Sequence, residues 1–179
     1  MRNFIKYLLV MAIPLAVLLS RPVIPLLTLT FGQQVKLMTV PFDPRDFFRG
    51  DYVELSFAIE NIGFDMISPS LLSELNRVER YEGRDIEVYV SIKPDRAGIY
   101  NAVLVSDKPP ADDIYIRGEI KKHTRRDITI SYGNNLSRFY VKENTGLELE
   151  EAARKGQILA IAKAWKGFIV LDAIEISPE

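Results

Sequence analysis

Apolar residues run almost unbroken up to Phe31, and beyond Gly32 they alternate with polar ones. Tyr7-Leu8-Leu9-Val10-Met11-Ala12-Ile13-Pro14-Leu15-Ala16-Val17-Leu18-Leu19-Ser20 is an apolar run of 14 residues behind a basic flank at Arg2 and Lys6. As a helix it spans about 21 Å, short of a hydrocarbon core of about 30 Å. A secretory signal fits that length. No small-x-small cleavage site stands near Ser20, however, and apolar sequence resumes from Val23 to Phe31. A helix from about Phe4 to about Phe31, interrupted by Arg21, spans when tilted or kinked, since Pro is tolerated in membrane helices and Arg snorkels. The reading is a retained anchor over 1–31, with a cleaved signal or a buried core helix as the alternatives. The basic flank favours a cytoplasmic N-terminus and an extracytoplasmic remainder over 32–179.

Gly32 is expected to end the helix in the left-handed conformation. Gln33–Val40 then reads as a strand with Val35, Leu37 and Thr39 on one face. A second strand runs from Tyr52 to about Ile59, with Val53, Leu55 and Phe57 sharing a face. Ser68-Pro69 opens a helix to about Arg80, with Leu71, Leu72, Leu75 and Val78 at helical spacing. Asp85–Lys93 and Ile99–Ser106 are strands joined through Pro94–Gly98. A strand over Ile114–Ile120 and another over Ile128–Tyr132 flank a basic connection, Lys121–Arg126. Phe139–Val141 is a short strand and Leu147–Lys155 a short helix. Ile158–Trp165 and Phe168–Ile176 make a terminal hairpin around Lys166-Gly167.

The order of elements repeats. Units over about 33–106 and 112–177 each read strand, strand, helix, hairpin, the second with a short extra strand before its helix. Arg49-Gly50-Asp51 is echoed by Arg125-Arg126-Asp127, and Leu55-Ser56-Phe57 by Ile130-Ser131-Tyr132. The expected fold class is therefore an N-terminal transmembrane helix plus an α+β, β-rich domain. Two related ββαββ units would share one barrel or sandwich with pseudo-twofold symmetry.

Composition narrows the chemistry. The 179 residues are 47% apolar and 26% charged, enough for a packed core and an ordinary solvated surface. A net charge of −1 makes no case for nucleic acid. Cysteine is absent, which removes disulfides, thiol catalysis and cysteine metal sites. His123 is the single histidine and stands among basic residues, so neither a zinc site nor a triad is expected, and no cofactor is implied.

The densest charge cluster is Asp43, Arg45, Asp46, Arg49 and Asp51, leading directly into Tyr52. Turn chemistry explains most of it, because Pro44 fixes φ and Gly50 accepts positive φ. The competing reading is a ligand or partner site, since Arg offers bidentate contacts to carboxylate or phosphate. Asp46, Asp51, Glu54 and Glu143 could serve acid–base chemistry, but none sits in a catalytic motif.

Pro41, Asp43, Pro44, Arg45, Asp46, Arg49, Gly50, Asp51, Tyr52 and Leu55 resemble the signature of the bacterial GDYXXLXY family, membrane-anchored proteins of uncharacterised function. The final aromatic departs from that pattern, with Phe57 in place of Tyr. A second region is similar too: Tyr132-Gly133, Arg138-Phe139-Tyr140-Val141, Glu143, Gly146 and Glu150. There the family more often has Pro-Glu-Gly where this chain has Lys142-Glu143-Asn144. The resemblance implies one N-terminal membrane anchor, an extracytoplasmic domain and association with a polytopic membrane protein. Because the two signature regions occupy corresponding places in the two units, they are expected to meet in space, with Arg45 or Arg49 near Glu143.

The functional expectation is a non-enzymatic binding or scaffolding domain, held to the lipid bilayer by its helix, for a membrane partner. Its signature cluster would be Asp43, Arg45, Asp46, Arg49, Asp51, Tyr52 and Glu143. The alternatives are an envelope enzyme using carboxylates around Asp46 and Asp51, marked by a cleft of acids with shifted pKa values, and a small-ligand barrel, marked by an empty apolar interior. An exposed apolar patch near the anchor would favour the partner.

Overall fold

The apolar N-terminus folds as two helices rather than one. The structure, a computed structural model, describes residues 2–40, 52–77, 86–124, 126–140, 152 and 157–176. Helix α1 is Arg2–Ser20 and carries Pro14 inside it; α2 is Val23–Phe31. The chain turns between them at Arg21-Pro22. Pro22 has no amide hydrogen and disfavours helical φ/ψ at the residue before it, which accounts for the break. The stretch Val10–Phe31, of 22 residues and hydropathy 2.0, is long and apolar enough to cross a membrane.

Gly32 closes α2, but not in the left-handed conformation. Its φ is −68° and its ψ 145°, and its amide donates to the Thr28 carbonyl at 2.8 Å. Space rather than φ excludes a side chain there. A Cβ would stand 2.3 Å from the Thr28 carbonyl oxygen and 3.1 Å from the Lys163 Cβ.

From Gly32 the chain enters β1, Gln33–Met38, which buries Val35 and Leu37 completely. Its partner comes from the far end of the chain. Strand β9, Ile158–Trp165, runs antiparallel to it, with Gln33 opposite Ala164 and Met38 opposite Leu159. The hairpin mate of β9 is β10, Phe168–Ile176. A second, five-stranded sheet holds β3 (Asn61–Gly63), β7 (Asp127–Ser131), β6 (Tyr115–His123), β4 (Ile86–Pro94) and β5 (Tyr100–Ser106), in that spatial order. It curls into a nearly closed, barrel-like wall. A short ladder joins β2, Tyr52–Glu54, to β8, Arg138–Tyr140.

The pairing is reciprocal between the two halves. Strand β1 of the first half joins the hairpin β9–β10 of the second, and β6 of the second joins the hairpin β4–β5 of the first. Two parallel bridges act within the halves instead, each setting a first strand against its own half's hairpin: Lys36 meets Ile99, just before β5, and Ile116 meets Gly167, just before β10. Each hairpin also contains one register shift. Both halves feed one apolar core, which includes Leu37, Phe57, Val90, Ile116, Ile128 and Ile158.

Local chemistry sets the turns. The Asp95 carboxylate accepts from the amides of Ala97 and Ile99 at 2.8 and 3.0 Å, and Gly98 takes a φ of +79° that suits glycine. Ser68 caps helix α3, Pro69–Arg77, accepting from the Leu71 amide at 3.4 Å. Leu71 and Leu75 face the core, as their spacing predicts; Val78 lies outside the described residues.

Two expected elements differ. The strand foreseen over Tyr52–Ile59 stops pairing at Glu54. Leu55, Phe57 and Ile59 still alternate into the core; the Leu55 amide donates to the Ser137 carbonyl at 2.8 Å, one rung past the ladder in the same register, and Phe57 then bridges to Thr39. Ala58–Glu60 then becomes a 3₁₀ turn. The basic connection foreseen over Lys121–Arg126 is half strand. Its Lys122 and His123 continue β6 because Thr129 and Ile128 pair with them. Of the helix expected over Leu147–Lys155, only Ala152 is among the described residues; it is helical and buried.

Phe57 stands at the last position of the signature and is fully buried in the core. Phe57→Ala should therefore cost about 3–5 kcal/mol of unfolding free energy. Urea unfolding of the full chain in mild detergent checks this; a cost near zero would mean that the ring does not pack.

Candidate functional site

The two signature regions meet at the β2–β8 ladder. Tyr52 pairs with Tyr140, Val53 with Phe139 and Glu54 with Arg138. The segments that carry most of the signature charges lead into Tyr52 and out of Tyr140. Asp43, Arg45, Asp46, Arg49, Asp51 and Glu143 themselves lie outside the described residues, and of Tyr52 only the backbone is described.

The frame around this ladder is held by backbone and hydroxyl hydrogen bonds. The Val40 amide donates to the Ser56 carbonyl at 2.9 Å, and Thr39 pairs with Phe57 by an isolated bridge. The buried Thr39 hydroxyl donates to the Ile158 carbonyl at 2.8 Å, tying the end of β1 to the start of β9. Gly133 has a φ of +82° and a ψ of 171°, a region essentially reserved for glycine. It turns the chain from β7 into the single-turn helix α4, Asn134–Ser137, which delivers Arg138 into β8.

Tyr132 pins this turn to the first half. Its hydroxyl donates to the Ile59 carbonyl at 2.6 Å. Burial pushes the phenol pKa well above the ordinary tyrosine range, and the nearby Glu60 carboxylate adds to the rise. The bond therefore works in the protonated form.

Beside the ladder lie two adjoining cavities of about 330 and 360 Å³, which share Lys121, Ser131 and Asn134. Arg117, Glu87 and Tyr132 border the first; Ser56, Glu60 and Thr129 border the second. The charges around them are internally matched. Arg117 stands 3.7 Å from Glu87, and Lys121 donates to Glu119 at 2.7 Å. No cluster of metal-ligating side chains occurs among the described residues.

Near the N-terminal apolar helix α1 the surface is apolar. Val23, Ile24, Leu26 and Phe31 are 45–66% exposed on α2. The opposite side of that helix is docked: Thr28 is fully buried, and the Lys163 ammonium donates to the Leu29 carbonyl at 2.6 Å. Sequence reasoning missed this docking. Its signal was β9 itself, whose run Ile-Leu-Ala-Ile-Ala-Lys-Ala-Trp is apolar on both faces and so asks for cover on both.

Taken together, the structure is a β-rich fold with a nearly closed, barrel-like sheet, preceded by one apolar segment long enough to cross a membrane. The chain belongs to the GDYXXLXY family: the model of the GDYXXLXY protein family matches residues 14–174. No curated protein matches, and no solved structure does.

Tyr132→Phe should leave the Ile59 carbonyl without its partner and cost about 1–3 kcal/mol. The folded chain holds the phenolic proton more tightly than the unfolded chain. This contribution is thus complete below about pH 10 and is lost as pH rises through the higher folded-state value. Urea midpoints measured from neutral to alkaline pH should fall more steeply for the wild type than for Tyr132→Phe. Parallel curves would contradict this role.

Proposed function

We propose that the chain is a membrane-anchored binding or scaffolding domain of the cell envelope whose signature end receives a polytopic membrane protein. In this reading 1–31 is the retained anchor and 32–179 the extracytoplasmic domain, with the N-terminus in the cytoplasm. The observation that carries it is the β2–β8 ladder, because it joins the strands that flank the two signature segments. The exposed apolar side of α2 supports a place for the domain at the membrane, since such patches mark protein or membrane interaction sites.

The same ladder supports the charge contact by pairing Tyr52 with Tyr140, the described residues at which the two signature segments adjoin. In this proposal Arg49 and Glu143 pair across the strands, while Asp43, Arg45, Asp46 and Asp51 complete the surface with Tyr52. The duplication belongs to the same proposal, and the reciprocal strand exchange between the halves supports it. Core side chains such as Leu37, Phe57 and Val90 fill the interior, which gives the ligand-barrel reading no support. The carboxylates of the enzyme reading lie outside the described residues.

Two experiments test the proposal. The full chain, solubilised gently from membranes, should retain a stoichiometric membrane protein that is lost from a folded Arg49→Glu/Asp51→Lys variant. Equal recovery from both would return the signature to a purely structural role. Separately, Arg49→Glu and Glu143→Arg should each destabilise, and the double variant should recover most of the loss. A double variant no better than the sum of the singles would remove the contact.

A further inference from the structure

The apolar N-terminus contains more helix than a span needs, and the two helices have different surroundings. Helix α1, with 19 residues, extends roughly 28 Å, close to a hydrocarbon core of about 30 Å. Taking Val10–Phe31 as the span instead would put Arg21 at its midpoint, the costliest depth for a cation. Taking α1 as the span puts Arg21 at its end, where it reaches the headgroups.

Helix α2 is bonded to the folded domain. Along β9, Ala162 and Ala164 point into the core, so Lys163 between them leaves the opposite face. Its ammonium meets the Leu29 carbonyl at 2.6 Å, near the C-terminal end of α2, where a cation complements the helix dipole. Thr28 is sealed and Gly32 is wedged against Lys163 and Ala164. A helix fastened this way cannot be lipid on all sides, yet Val23, Ile24, Leu26 and Phe31 need cover on the other side. Next to Phe31, around a cavity of about 250 Å³, lie Trp165 and Lys166. The Lys166 ammonium sits 4.9 Å from the centre of the indole ring, a pairing suited to the headgroup level.

We propose that α1 alone crosses the bilayer and that α2 is a membrane-surface strut. Its free apolar side lies in the headgroup–acyl boundary of the same bilayer, with Trp165 and Lys166 at that level. The occupant is phospholipid because only Arg21-Pro22 separates α2 from the span, so the nearest apolar phase is the bilayer that α1 has just left. The strut fixes how the domain stands on the membrane. This inference rests on a retained anchor but not on a protein partner.

Trp165 is the only tryptophan, so its emission reports this depth without labelling. The full chain is reconstituted into phosphatidylcholine vesicles, and alkaline carbonate extraction is run first. A chain extracted by carbonate would overturn the anchor and the strut together. For a retained chain, lipids brominated near the headgroup end of the acyl chain should quench Trp165 strongly. Lipids brominated near mid-chain and aqueous iodide should quench it weakly. Dominant iodide quenching would place α2 in water and overturn the strut; dominant mid-chain quenching would make α2 part of the span and overturn it equally. A Leu26→Glu/Phe31→Glu variant, with the same far-ultraviolet circular dichroism and still resistant to carbonate, should lose the shallow quenching. Quenching that persists in this variant would also overturn the strut.

Discussion

The ladder between β1 and β9 holds the rest of the structure in place. It joins the strand that follows α2 to the hairpin β9–β10, from Gln33 opposite Ala164 to Met38 opposite Leu159. Without it Val35 and Leu37 lose the wall that buries them, and the outer face of β9 loses the position that lets Lys163 reach α2. The mirror contact, β6 on β4, closes the other half in the same way. Neither half completes a sheet from its own strands, so the core forms only when the ends of the chain have come together. Such non-local closure costs loop entropy before it gains burial. One shared core offsets that cost.

This exchange also explains why the signature is divided between two distant segments. The chain leaves β1 beside Thr39, which is bonded to Ile158, and β2 begins at Tyr52 beside Tyr140. Tyr132, reaching Ile59, locks the turn that feeds β8. The two segments are brought together by the same strand swap that builds the core. Their glycines and hydroxyls serve that joint directly, as Gly133 shows with its positive φ. Next to the N-terminal apolar helix α1, α2 is held by a polar contact from Lys163 on one side and is apolar on the other.

Much of this was legible in the residues. Period-two burial named the core faces of β1, β4 and β9, because a strand with one side on the core must alternate. The helix at Pro69 and the turn at Asp95 followed from capping and turn chemistry. What was not legible depended on partners far along the chain. Lys121–His123 reads as a basic loop, yet Thr129 and Ile128 draw it into a strand. Tyr52–Ile59 reads as one strand, yet Phe57 bridges to Thr39 rather than to β8 and Ala58–Glu60 turns into a 3₁₀ helix. Gly32 reads as a left-handed cap, but close packing against Lys163 explains it. Of the candidate site, the meeting of the two signature regions was foreseen, and the ladder bears it out through Tyr52 and Tyr140.

The central claim is that the two halves close each other and cannot open separately. Native-state hydrogen exchange of the full chain in detergent micelles tests it most directly. Slowest-exchanging amides of Val35, Leu37 and Ala162 should share one opening free energy with those of Val88, Val90 and Ile120, and all should respond to urea with the same slope. Opening of β1, β9 and β10 at distinctly lower free energy, with the five-stranded sheet still protected, would contradict the account.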